Sequence, residues 1–421
     1  MNGIPQGLKP GYVCALFGTT EAVPCYKAIL TRVRQAPAWF GVLVAMGMAC
    51  MTLAGCRPHD FPQYPANYRE YAYVTNGASG TVTVLDVVHV RLDREIAVGQ
   101  NPVAVAASPA RNEVYVVNSG ANGGSGSVAV VDAERNAVSA TILAHRQPVS
   151  IDLDHDGKLA YVVNSGSNTV SVIDLGARKE IATIGVGERP QAARVSADGR
   201  TLVVANRGGN SVSVVDTGLR RVRAIFTGCP GASNVVILPD SSKAFAACAH
   251  GHQVMAIALA VQAQPDRPAQ PDRLEARLDV GQGPAHLTLK PDGGETFVLN
   301  SLSNSVSEIY NTTDEVGSTY LIGNGPAHGA VTSDNSLLYV ANARSQYVTL
   351  YSIEDGKRAG SVHVGDGPSA MAFSRDGHLL FVVDSGTDDV AAIRTSTRSL
   401  FTLLPAGRGP NAIAVKAFSV K

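Results

Sequence analysis

Two histidines stand at the same point of two copies of one pattern: His286 in GPAHLTL and His328 in GPAHGAV, 42 residues apart. Imidazoles in pairs can ligate zinc, copper or haem iron, and a single one can serve as a general base. Further along the same chemistry, Cys248-Ala249-His250-Gly251-His252 carries two more imidazoles, and Cys229 lies 19 residues before Cys248. Soft and borderline ligands of this kind suit a transition metal or a haem. The familiar local signatures are missing: there is no HExxH, CxxC or CxxCH, and GGSGS from Gly123 fails the GxSxG elbow at its last position. Any site must therefore be assembled by the fold.

The elements that would assemble it are read from internal repetition. Aligning Pro102, Pro148, Pro190, Ala232, Pro284, Pro326, Pro368 and Pro410 gives steps of 46, 42, 42, 52, 42, 42 and 42 residues. The long steps contain the Gly/Ser-rich NSGANGGSGS from Asn118 and the doubled AQPDR at 263–267 and 269–273, both of which read as loops. Each unit opens with a short apolar strand. Eight residues after the aligned position comes a turn such as Asp156-Gly157 or Asp198-Gly199, expected to be a tight hairpin with both residues at positive φ. Then follow segments like YVVNSGSN, TVSVID and KEIATIG, rich in β-branched residues and without a helical period.

Four short strands per unit, repeated in series, describe an all-β propeller. Seven full units run from about residue 98 to 405. Residues 70–97 supply three strands and the C-terminal PNAIAVKAF supplies one, so the expectation is eight blades, the ring closed by the C-terminal strand joining the N-terminal blade. Seven blades is the alternative, with the cysteine-bearing fourth unit the weakest.

Tyr73-Val74-Thr75-Asn76, echoed by YVVN at Tyr115 and Tyr161 and YVAN at Tyr339, resembles the YVTN-repeat β-propeller family over residues 70–418. The resemblance implies a secreted propeller and says little about function. Its YncE-type members have seven blades, and the count here departs from theirs. Eight blades, and RVSADGR from Arg194, resemble the haem d1 domain of cytochrome cd1 nitrite reductases, which implies a cofactor-binding channel.

Two residues past each aligned position the units read Ala104, Ser150, Ala192, Asn234, His286, His328, Ala370 and Ala412; two further on, Asp152 and Arg194 break a small or apolar series. Asn234, His286, His328, Arg194 and Asp152 are thus the candidate ligand-binding residues. His286, His328, His250 and His252 are the candidate metal ligands, crowded with Cys229 into one sector of the rim. Rim charges Arg146, Arg207, Arg344, Asp388 and Asp389 read as solvated loop residues. Cys229 and Cys248 are a candidate disulfide pair in an oxidising compartment.

That compartment is argued from the N-terminus. Arg32 and Arg34 precede the uncharged run from Ala36 to Gly55, which ends in Leu53-Ala54-Gly55-Cys56. Residues 1–56 therefore read as a leader and lipoprotein signal peptide with Cys56 the lipidated residue, and 57–69 as a linker. A single membrane span is the other reading. Arg57 after the cysteine points to the periplasmic face of the outer membrane. Lys plus Arg and Asp plus Glu are both 35, so charge gives no indication of a nucleic-acid partner. The combined expectation is an exported, lipid-anchored, monomeric propeller that acts as a binding platform for a periplasmic or cell-surface protein or a small ligand. A redox protein holding a metal or haem d1-type cofactor at His286/His328, and a propeller lactonase or lyase, are the alternatives.

Overall fold

A computed structural model describes residues 62–261 and 269–420. The leader, Cys56 and the first part of the linker lie outside these, as does most of the AQPDR insertion.

Among the described residues there are strands and no helices. Thirty-two strands form eight four-stranded antiparallel sheets. Blades 1 to 7 are continuous in sequence and begin with β4 (Pro102–Ala107), β8 (Pro148–Leu153), β12 (Pro190–Val195), β16 (Ala232–Ile237), β20 (Pro284–Leu289), β24 (Pro326–Val331) and β28 (Pro368–Phe373). Blade 8 is composite: β1 (Tyr68–Asn76), β2 (Thr81–Asp86) and β3 (Arg91–Ala97) are completed by β32 (Pro410–Ser419), which pairs antiparallel with β1. Each first strand neighbours the next, and β32 neighbours both β28 and β4. The eight first strands therefore close a ring around a central channel, and the protein is an eight-bladed β-propeller. The cysteine-bearing unit is a complete blade.

The blades stick together through valine-rich faces. Val116 and Val131 pack against Val82 and Val84 of blade 8, while Tyr115, Val117 and Val128 face Ile151 and Val162 of blade 2. Each such side chain contributes roughly 1.5–3 kcal/mol on burial, which is why alternate strand residues are apolar on both faces.

Three expectations need correction. The Asp-Gly turns are not two-residue hairpins. Gly157 N–H donates to Asp154 C=O and Asp154 N–H to Leu159 C=O, with positive φ at Gly157 only. The loop is longer, a turn followed by one left-handed residue, and so needs one permissive position; Ser241 and Asn335 fill it in other blades. Residues 64–69 are no free linker. Tyr64 donates to Asp376 Oδ2 at 2.6 Å and stacks on Tyr68, while buried Glu70 accepts Arg375 N–H at 2.6 Å. These contacts fasten blade 8 to blade 7. Asp389 is not a solvated rim charge, as described below.

One device escaped the sequence reading. The asparagine ending the second strand of a blade lies inside the rim and donates to hydroxyls on the third strand: Asn164 to Ser171, Asn206 to Ser213, Asn300 to Ser307, each at 2.9 Å. In five blades a glycine three residues before the aligned position lies against it, while blade 2 has His145 there. A Cβ on Gly187 would stand 2.6 Å from Asn206, and one on Gly281 2.6 Å from Asn300.

Candidate functional site

The first strand of each blade is a sheet edge, with backbone N–H groups facing the channel side rather than another strand. Side chains of the preceding blade satisfy some of them. Asp152 Oδ2 accepts Val195 N–H at 2.8 Å, tying blade 2 to blade 3. Asn234 Oδ1 accepts Leu287 N–H at 3.2 Å, tying blade 4 to blade 5. Both residues thus have a structural bond, and Asn234 retains only its amide N–H groups for a ligand.

His286 on β20 and His328 on β24 come together, their rings 4.3 Å apart and tilted by 35°. His286 Nδ1 shares a 3.3 Å hydrogen bond with Thr288 Oγ1. Nδ1 of His328 is buried and has no hydrogen-bond partner among the described residues. Both residues are half-buried as a whole, and protein atoms surround the rings closely. Burial pushes both imidazoles well below the ordinary histidine range, His328 to about 4. His328 adds to the effect on His286, and the Arg194 charge acts on both. Both rings are therefore neutral at pH 7. Arg194 lies on the first strand of blade 3, two places beyond the register position that His286 and His328 hold on theirs, and so on the same side of its strand.

The Arg194 side chain is 45% exposed, and its Nη1 lies 3.6 Å from Asp152 Oδ1. Burial raises the Asp152 carboxyl despite the guanidinium and the Val195 N–H, which pull the other way. One arc, from blade 2 to blade 6, thus presents Ser150, Asp152, Arg194, His286 and His328. On blades 7, 8 and 1 the same two places hold Ala370 and Ala372, Ala412 and Ala414, Ala104 and Ala106. The channel wall has a polar side and an alanine side.

The four-histidine metal set does not assemble. Among the described residues no three His, Cys, Asp or Glu side chains gather to hold a metal. His250 lies against Gly231, and His252 Nδ1 accepts the Gly283 N–H at 3.4 Å. Both serve rim turns of their own and the next blade, away from the inner-strand pair. The His-x-His spacing put them on one loop, and the loop's own packing uses them. Cys229 and Cys248 are joined in a disulfide within the rim of blade 4. Arg344 is spent on the rim as well, bonding Ser301 C=O and Asn304 Oδ1.

Comparison with known proteins agrees with the architecture. A family model described as lactonase, 7-bladed beta-propeller, matches residues 235–415, a stretch that contains both histidines but neither Asp152 nor Arg194. Comparison with curated sequences finds no match. Among solved structures, hydrazine synthase of Kuenenia stuttgartiensis is 21% identical, over 77% of this chain and 92% of that one, with a TM-score of 0.53. Dihydro-heme d1 dehydrogenase NirN in complex with DHE is 15% identical, over 85% and 77%, with a TM-score of 0.63. A putative 6-phosphogluconolactonase from Bacteroides uniformis is 16% identical, over 83% and 99%, with a TM-score of 0.56. At these identities the likeness is one of fold.

Proposed function

We propose that this protein is an exported, lipid-anchored binding propeller whose ligand is a small molecule seated in the central channel against His286 and His328. One observation carries the reading. Where four of the other six blades have alanine, two neighbouring blades place neutral imidazoles in mutual contact, and Arg194 and Asp152 stand two places further along the first strands of blades 3 and 2. Burying two histidines without a charged partner costs stability, and such a cost at a concave site is a mark of function. The Cys229–Cys248 disulfide supports export to an oxidising compartment. Lipidation at Cys56 and the periplasmic face of the outer membrane follow from the signal-like N-terminus.

Two other readings have support of their own. Neutral imidazole is the form that ligates metals, and NirN shares the fold, so a cofactor that brings a metal with its own donors suits a site with two histidines and, among the described residues, no third ligand. His286 or His328 would hold it, and the group would supply the redox chemistry. The family match favours a lactonase, in which a neutral imidazole would take a proton from the attacking water.

The deciding experiment uses protein made in a periplasm, compared with its His286→Ala/His328→Ala variant. Native mass spectrometry, absorption spectra and metal content are recorded on both. A bound organic mass lost in the variant supports the binding reading, and a visible band or stoichiometric metal lost with it selects the cofactor reading. Turnover of simple lactones, abolished in the variant, selects the enzyme. A protein that carries and turns over nothing, and that melts unchanged in the variant, sinks all three.

A further inference from the structure

We infer that the channel ligand is an organic anion with an apolar body, anchored by Arg194, and that Asp152 holds that arginine in reserve until the anion displaces it. This rests on the channel being the binding site and names the class of molecule it takes.

Three observations lead there. First, at the two inner-strand places that distinguish the blades, Arg194 is the sole permanent cation, since both imidazoles are neutral. A lone guanidinium in a confined channel selects for negative charge, and its planar fork matches carboxylate or phosphate oxygens. Second, Arg194 is incompletely satisfied. Among the described residues its only ion-pair partner is Asp152, at 3.6 Å, beyond good hydrogen-bond distance, and the side chain remains 45% exposed. Asp152 meanwhile is fixed by the Val195 N–H at 2.8 Å, so the carboxylate cannot follow the arginine inward. The pair is loose because one partner is tethered to a backbone N–H and the other is nearly half exposed. Third, the remaining wall matches the rest of such a ligand. The imidazole nitrogens offer neutral hydrogen bonds on one side. The alanines of blades 7, 8 and 1 leave apolar room on the other. Ala104 and Ala106 already pack beside a buried apolar cluster.

Asp152 then acts as a competitor. It keeps the guanidinium from being unpaired when the channel is empty, and it weakens every anion that binds by the attraction it withdraws. Asp152→Asn keeps an oxygen for Val195 N–H and removes only the competing charge. The unusual consequence is that a variant of a binding-site residue binds more tightly.

The test uses 2-naphthoate, a flat apolar body with one carboxylate, and 2-naphthamide, its neutral counterpart, by equilibrium dialysis with the full propeller at low and high salt. The wild-type protein is expected to bind the carboxylate roughly tenfold more tightly than the amide, with the preference shrinking in salt. Arg194→Gln is expected to abolish the preference. Asp152→Asn is expected to tighten carboxylate binding by about five- to tenfold and leave the amide unchanged, the scale of one partly screened charge pair. Equal binding of the two compounds, no binding of the carboxylate, or an Asp152→Asn variant that binds no better overturns the inference. Binding that is lost in the His286→Ala/His328→Ala variant but ignores Arg194 and Asp152 refutes the anion while leaving the channel site in place. Binding that ignores all four residues refutes the channel site too.

Discussion

Blades 4 and 7 abandon the same rim bond in opposite chemical directions. In blades 3, 5, 6 and 8 a glycine lies against an asparagine, whose amide donates to a serine or threonine seven residues later; blade 2 keeps the bond with His145 in the glycine place, and in blade 1 the hydroxyl is Ser127, nine residues on. In blade 4 the glycine place is Cys229, the asparagine place is Cys248 and the hydroxyl place is Met255. A covalent bond replaces the polar one, and all three side chains are fully buried or nearly so. In blade 7 the glycine remains as Gly365, but Asp384 takes the asparagine place and Ala391 the hydroxyl place. Asp384 is completely buried, accepts the Gly365 N–H at 2.9 Å and faces Asp389. Burial pushes its carboxyl up to about 8, and the neighbouring Asp389 pushes further in the same direction. Asp384 thus holds a proton next to Asp389 where other blades place an amide hydrogen. One position in a repeat can thus be filled by any pair that satisfies itself without water, but each solution has its own condition for failure: reduction for blade 4, loss of a proton for blade 7.

The comparison is broken most severely at blade 4. Cys229→Ser/Cys248→Ser should lower unfolding free energy by about 3 kcal/mol, the scale expected for freeing a loop of this length in the unfolded chain. Chemical denaturation with and without reductant checks it. Restoring the repeat with Cys229→Gly/Cys248→Asn/Met255→Ser should recover about 1 kcal/mol of that loss, one buried hydrogen bond. No recovery would show that blade 4 has drifted from the repeat in more than its rim.

Blade 7 gives the second effect, with a definite sign. A raised carboxyl means that the native state holds a proton the unfolded chain has released. Stability therefore falls as pH rises from the ordinary carboxylate range towards 8. Asp384→Asn keeps an oxygen for Gly365 N–H and supplies the amide donor to Asp389. It should flatten the fall and raise stability at pH 8 by about 2 kcal/mol, a fraction of the full linkage because the pair is coupled. Melting curves of both proteins from pH 5 to 8 decide it; parallel curves would mean that Asp384 is ionised in the native protein.

How much of this was legible in the chain depended on whether it repeated. The blade count, the composite closing blade and the candidate inner-strand positions follow from spacing, because a blade cannot bury its faces without a neighbour. Asn164, Asn206 and Asn300, with serines seven residues on, were equally periodic and went unread as a bond, since Asn-Ser-Gly is also an ordinary turn signal. The rim histidines lie on the loop where their spacing puts them, but what they pack on was not legible. His250 and His252 share a loop with Cys248, but position along the chain does not say which turn a side chain packs on. The contact between His286 and His328 joins two blades, and only the curvature of the ring brings those strands within ring-to-ring distance.

The histidine pair extends the comparison from rim to channel and gives the smallest effect. Its imidazoles are shifted down, the reverse of Asp384, so the unfolded chain binds more protons below about pH 6.5 and stability is lost as pH falls towards 4. His328→Ala, which restores the residue that four of the eight blades carry, should remove part of that acid lability. At pH 5 the expected relative gain is about 1 kcal/mol, kept small because the residue as a whole is only half-buried. Arg194→Gln tests the electrostatic part separately. It leaves the burial and removes a positive charge that acts on both rings, so both imidazoles should titrate at higher pH, read from their ring proton resonances. His286 should still titrate below the free histidine value, because burial and its neighbour's ring outweigh the arginine. If the resonances did not move, Arg194 would have to lie outside the shared channel space, and the polar arc would separate into two unrelated surfaces.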